Sequence, residues 1–180
     1  MPIYIALLRG INVGGHHKIK MADLRSLLET IGLRKVKTYI QSGNVLFESE
    51  EAAKQLSMRM EEEIGKTFGF PVPVILRTAT EFEHIIRNCP FATDTLKEGE
   101  SIHAAFLADE PSEKGIQHLS TIKSEMDEYK IEGKEVYFYF RESILKSKIV
   151  SQLPKLGVPA TVRNWKTVIK LAAIAKEIAE

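Results

Sequence analysis

The chain has 180 residues, 44 % of them hydrophobic and 27 % charged, with a formal net charge of +1. That balance excludes a disordered tail, a collagenous repeat and a disulfide framework, and a chain of this length has enough surface to bury a core. No apolar stretch approaches the roughly 18 residues that span a bilayer, the start Met1-Pro2-Ile3-Tyr4 carries no basic leader, and the single cysteine, Cys89, fits a reducing cytoplasm.

In chain order, Pro2–Arg9 is a nearly unbroken apolar run, the pattern of a buried strand. Gly10–Lys20 reads as a polar loop with three glycines. Met21, Leu24, Leu27, Leu28 and Ile31 recur at helical spacing, and Gly32 stops that helix. Val36–Ser42 and Val45–Glu48 read as strands joined by a two-residue turn at Gly43-Asn44. Glu51–Phe68 carries a helical stripe of Leu56, Met60, Ile64 and Phe68. Val72–Arg77 follows as a strand and Thr80–Arg87 as a short helix. The pattern then repeats. Ile102–Leu107 is a strand, Ser112–Ile122 a helix, and Glu125–Ile131 with Glu135–Phe140 a hairpin about Gly133-Lys134. Ser143–Leu153 reads as a helix, Ala160–Arg163 as a short strand and Asn164–Ala179 as a last helix. Each half is a strand-helix-strand-strand-helix-strand unit, the split βαβ or ferredoxin-like arrangement. The expected fold is therefore α+β, with two ferredoxin-like units (alpha-beta plaits) in tandem. Residues 1–88 form the first unit with a trailing helix, 89–100 a connector, and 101–180 the second unit with the C-terminal helix.

Charge is unevenly spread. Residues 1–48 have a net charge of +4, residues 49–140 of −8 and residues 141–180 of +5. Blocks of opposite sign can attract one another in the fold. If the basic ends meet instead, they form a positive face that favours an anionic partner.

Four segments have the residue types for chemistry. Leu8-Arg9-Gly10-Ile11-Asn12-Val13-Gly14-Gly15-His16-His17-Lys18 offers glycine amides and cations to a phosphate. It has neither the G-x-G-x-x-G spacing of a dinucleotide loop nor the Gly-Lys-Ser/Thr end of a Walker loop, so a plain mobile loop remains open. His16 and His17 have no supporting ligands at metal-site spacing, which reads as solvated loop histidines and no metal. Gln41-Ser42-Gly43-Asn44 offers a hydroxyl and amides, but Gly-Asn is also ordinary turn chemistry, and Ser42 lacks the flanking glycines of a nucleophile elbow. In Arg163-Asn164-Trp165-Lys166-Thr167-Val168-Ile169-Lys170, Asn164 is an N-cap candidate and Trp165, Val168, Ile169 and Ala172 share a face. Arg163, Lys166 and Lys170 then gather where the helix is already positive, which an anion would offset. In a split βαβ unit the Gly10–Lys20 loop and the Ser42–Asn44 turn are expected at opposite ends of the sheet.

Ala6-Leu7-Leu8-Arg9-Gly10-Ile11-Asn12-Val13-Gly14-Gly15, Met21-x-x-Leu24-Arg25 and Thr38-Tyr39-Ile40-Gln41-Ser42-Gly43-Asn44-Val45 resemble the bacterial DUF1697 family. So do Asn88-Cys89-Pro90-Phe91 and Arg163-Asn164-Trp165-x-Thr167-Val168-x-Lys170-Leu171, while His16-His17 departs from the polar pair such proteins often carry. The resemblance implies a cytoplasmic bacterial protein with two ferredoxin-like units, and no activity. It carries over Arg9, Asn12, Gly14, Gly15, Gln41, Ser42, Asn44, Arg163, Asn164 and Lys170, polar or glycine positions that suit a surface site. The leading expectation is a protein that binds a phosphate-bearing ligand, a nucleotide or a nucleic-acid end, with these residues and Lys166 around one basic pocket and no membrane partner. Rival readings are single-stranded RNA stacked on a sheet face by Tyr4, Tyr137 and Tyr139, an enzyme acting on a phosphoester, and an assembly role in which Phe138, Phe140 and the last helix bury a partner surface.

Overall fold

The computed structural model describes all residues from Met1 to Glu180. The first half runs β1 (Ile3–Leu8), α1 (Met21–Thr30), β2 (Arg34–Tyr39), β3 (Asn44–Glu48), α2 (Ala53–Phe68), β4 (Val74–Thr78) and α3 (Ala79–Arg87). The second runs β5 (Ser101–Leu107), α4 (Glu113–Ser120), β6 (Asp127–Glu132), β7 (Glu135–Phe140), two 3₁₀ turns, β8 (Ala160–Asn164) and α5 (Trp165–Ala179). Each half folds an antiparallel four-stranded sheet with the same order, β2-β3-β1-β4 and β6-β7-β5-β8. These are two tandem ferredoxin-like units. Contacts divide the chain into one compact unit of Met1–His84 with Ile169–Glu180 and another of Ile85–Val168.

In the first unit, β1 is buried on both faces, as its unbroken apolar run requires. Tyr4, Ala6 and Leu8 face a core with Leu24 and Leu28 of α1 and Leu56, Met60 and Ile64 of α2. In the second unit, Ala105, Leu107, Val136, Phe138 and Phe140 pack with Leu119 of α4 and with Ile149, Leu153 and Leu156.

The register exposes a repeat that residue identity along the chain does not advertise. Arg77 pairs with Ile5 on the central strand β1, and Arg163 pairs with Ala104 on the central strand β5. Both arginines are buried, and each donates from Nη1 to the carbonyl of the residue before it, Leu76 at 2.9 Å and Val162 at 3.0 Å. Pro73 and Pro159 each stand four residues upstream, and the next residue caps a helix in both units. The Thr78 hydroxyl accepts from Glu81 N, and the Asn164 side chain accepts from Thr167 N.

The segment 143–153 is not the α-helix its periodicity implies. It forms two 3₁₀ turns, Ile144–Lys146 and Val150–Leu156. Ser147 between them is extended, and its hydroxyl donates to the buried Asp127 carboxylate at 2.6 Å, which holds the chain out of the helical path. In α5 the inward face is Trp165, Val168, Leu171, Ile174, Ala175 and Ile178, whereas Ile169, expected inside, is 44 % exposed.

Candidate functional site

The β1–α1 loop is pinned rather than mobile. Ile11 and Ile19 plunge into the first core at 1 % and 2 % exposure. Between them Asn12 takes a left-handed backbone, φ 55°, which asparagine tolerates better than most residues. Its Nδ2 donates to Ile19 O at 3.0 Å and Gln41 O at 2.8 Å, and its Oδ1 accepts from Ile19 N at 2.9 Å. Its backbone amide donates to His17 O at 3.0 Å. Beyond this staple, Val13 and His16 pair across Gly14-Gly15, both at positive φ (58° and 76°), the geometry of a type I′ turn. The two glycines thus make a hairpin tip, a job only residues free at positive φ do cheaply.

The β2–β3 connection meets this loop. Tyr39 and Asn44 form the last strand pair, so the turn has four residues, Ile40–Gly43, instead of two, and Asn44 is a strand residue. Asn44 is fully buried and donates from Nδ2 to Tyr39 O and to the Ser42 hydroxyl, both at 3.0 Å. Gly43, at φ 90°, accepts at its carbonyl oxygen from Leu8 N at 2.8 Å, and a Cβ there would sit 2.9 Å from Leu8 Cβ. The expectation that loop and turn lie at opposite ends of the sheet is corrected by these contacts. A strand-helix-strand crossover returns the chain so that β2 runs parallel to β1, and both strands therefore end at the same edge. Arg9, Asn12, Gly14, Gly15, Gln41, Ser42 and Asn44 all belong to this one corner of the first unit.

Around the corner the exposed cations are Arg9, Lys18 and Lys20, none of them in an ion pair. Lys20 is also the N-cap of α1, and no side chain caps that helix. Asp23 in the first turn opposes part of the positive field. His17, again left-handed at φ 50°, lays its exposed ring on the half-buried Phe70 at 4.3 Å with an 8° angle between planes. Neither the stack nor its partner was visible in sequence, because 53 positions separate the two rings.

In the second unit, Asn164 is exposed and caps α5 with a 2.9 Å bond from Thr167 N. Arg163 is only 8 % exposed; its Nη1 also donates to the Thr161 hydroxyl at 2.6 Å, and burial draws its guanidinium down to about 10, still charged at neutral pH. Lys166 is exposed, as is Lys170 in the part of α5 that joins the first unit. Asn44 and Arg163 thus sit in the interior, where the polar character of the motif pointed to the surface, because both satisfy their polar atoms with neighbouring backbone and hydroxyl groups.

The aromatic residues considered for stacking bases are elsewhere. Tyr4 and Tyr137 are buried at 5 % and 1 %, with hydroxyls donating to Glu51 O and Ile85 O at 2.7 Å. Burial raises both phenols. Phe138 and Phe140 are fully buried in the second core. Tyr139 is half-buried beside Phe91, under the Arg141 guanidinium. No group of three or more His, Cys, Asp or Glu side chains is placed to hold a metal ion, and no helix is long and apolar enough to cross a membrane.

The architecture defines a duplicated ferredoxin-like protein whose first unit presents a stapled, cationic corner. Its residues 1–137 match the model of a protein family of unknown function, DUF1697, and the chain belongs to that family. It is similar to a solved structure, the conserved bacterial protein SP0830 from Streptococcus pneumoniae, at 29 % identity and a TM-score of 0.74, covering 97 % of this chain and 98 % of that one. No curated protein matches the chain.

Proposed function

We propose that this protein binds a phosphate-bearing ligand, a nucleotide or a nucleic-acid end, at the corner built from the β1–α1 loop and the β2–β3 turn. The observation that carries the reading is a rigidly stapled loop bearing Arg9, Lys18 and Lys20, exposed and without carboxylate partners, that runs directly into the uncapped start of α1. Lysines and an uncapped helix start repel one another unless an anion lies between them. Asn12 is spent on holding the loop and the Ser42 hydroxyl accepts from Asn44, so the exposed Gln41 side chain is the polar group left to orient the ligand. Lys166 and Lys170, one turn apart on α5, are a second pair of exposed cations beside the Asn164 cap. A cytoplasmic setting accords with the one cysteine and with a ligand of this class.

Titration calorimetry with inorganic tripolyphosphate, nucleotides and short 5′-phosphorylated oligonucleotides tests the reading. Binding is expected to weaken about tenfold in Arg9→Ala and in Lys18→Ala, and to fall with added salt as two or three phosphate contacts require. The Lys166→Ala/Lys170→Ala variant decides whether the α5 cations bind anions of their own. Binding that ignores both Arg9 and Lys18, or no binding by any of these anions, overturns the proposal.

A further inference from the structure

We infer that the ligand of this corner carries a planar base that stacks on the outer face of His17. The inference rests on the phosphate reading above and names the other half of the ligand. Three independent observations meet at His17. Its ring lies flat on Phe70, 8° from parallel at 4.3 Å, and Phe70 is itself packed on the first core. The ring is nonetheless exposed, so its outward face is open to a third plane. Its backbone is locked by the Asn12 N–H bond to its carbonyl and by a left-handed φ of 50°. A solvated histidine would spread over several rotamers and lose that freedom on binding. This one is already fixed, so a base landing on it gives up only its own motion.

The chemistry around the ring selects the class. A flat apolar partner alone would not need Arg9, Lys18 and Lys20 nearby, and a bare phosphate would gain nothing from a stacked imidazole. A base joined to phosphate uses both. The shared chemistry is found in a free nucleotide and at the end of a strand, and a purine, with the larger plane, gains more than a pyrimidine.

The test uses the full chain and compares ATP with inorganic tripolyphosphate, in wild type, His17→Leu and His17→Trp. Stacking is expected to make ATP about 10- to 100-fold tighter than tripolyphosphate. His17→Leu removes that advantage and leaves tripolyphosphate unchanged, whereas His17→Trp keeps it. Because a left-handed backbone suits leucine and tryptophan less than histidine, both variants are expected to melt slightly below wild type, and binding is read well below that temperature. Equal binding of ATP and tripolyphosphate overturns the stacking and leaves the phosphate site standing. An ATP preference that survives His17→Leu also overturns it. Failure of both anions to bind overturns the site and the stacking together. A 5′-phosphorylated oligoadenylate and its unphosphorylated form separate the sources: tighter binding of the phosphorylated strand than of ATP assigns the site to a strand end, and the reverse assigns it to the free nucleotide.

Discussion

At the scale of single residues, three of the four left-handed non-glycine residues lie where the two loops of the first unit meet. Asn12, His17 and Ile40 all have φ near +50°. For asparagine and histidine that is tolerable, but Ile40 is β-branched and 49 % exposed, so little packing compensates its strain. Ile40→Asn is expected to stabilise the protein by about 0.5–1 kcal/mol, or roughly 1–4 °C in melting temperature, read by thermal and urea unfolding. Lower stability in that variant would mean that the Ile40 side chain makes a contact worth more than the strain. A second residue predicts pH behaviour. His103 in β5 has a buried Nδ1 with no partner, its ring 5.2 Å from Phe140, and burial pulls its pKa down from 6.5 to about 4. The unfolded chain therefore binds a proton that the native chain refuses between pH 6.5 and 4. Stability is fully present above pH 6.5 and falls as the pH drops toward 4. For a ring that solvent still partly reaches, the loss is on the order of 1–2 kcal/mol. Urea melts at pH 7 and pH 4.5 should show this drop, and His103→Phe should flatten it.

At the scale of elements, periodicity and turn residues made the strands and most helices legible, because alternating or continuous apolar runs report burial directly. They failed where one side chain redirects the chain. Residues 143–153 look helical partly because Leu145 counts as apolar, yet Leu145 is 93 % exposed and Ser147 is tied to Asp127 twenty positions earlier. The candidate site was legible as residue types and not as roles. Asn12 was visible as a polar motif residue, but its bond to Gln41 O spans 29 positions, and no local pattern encodes it. The α4 helix offers a test in which two local rules conflict. Gly115 sits inside it, and helix propensity alone favours alanine there by about 1 kcal/mol. A Cβ at Gly115, however, would lie 2.5 Å from Lys155 O and 2.6 Å from Leu156 Cα, both backbone atoms of the facing 3₁₀ turn. Gly115→Ala is expected to cost about 2–3 kcal/mol despite its better propensity, since backbone moves less easily than a flexible side chain. A neutral or stabilised variant in urea titration would show that the turn slides away.

At the scale of the whole molecule, duplication is the organising fact. The same strand order and the same arginine-then-cap sequence end both sheets, at Arg77-Thr78 and Arg163-Asn164. Yet the first unit is not continuous along the chain. Residues Ile169–Glu180 belong to it, with Leu171, Ala175 and Ile178 buried and the Lys35 amine donating to Ile178 O at 3.3 Å. A chain cut after Val168 is expected to lose protection of residues 1–84 in hydrogen exchange, and a synthetic 169–180 peptide should restore part of it. Protection that survives the cut would show that the remaining core suffices. During synthesis the ribosome delivers residue 84 roughly 5–20 s before the segment that completes its unit, at 5–20 residues per second. The nascent first unit must therefore wait unfinished, exposed to chaperones and proteases, and a translation product that stalls in the second half never acquires the helical segment that completes it.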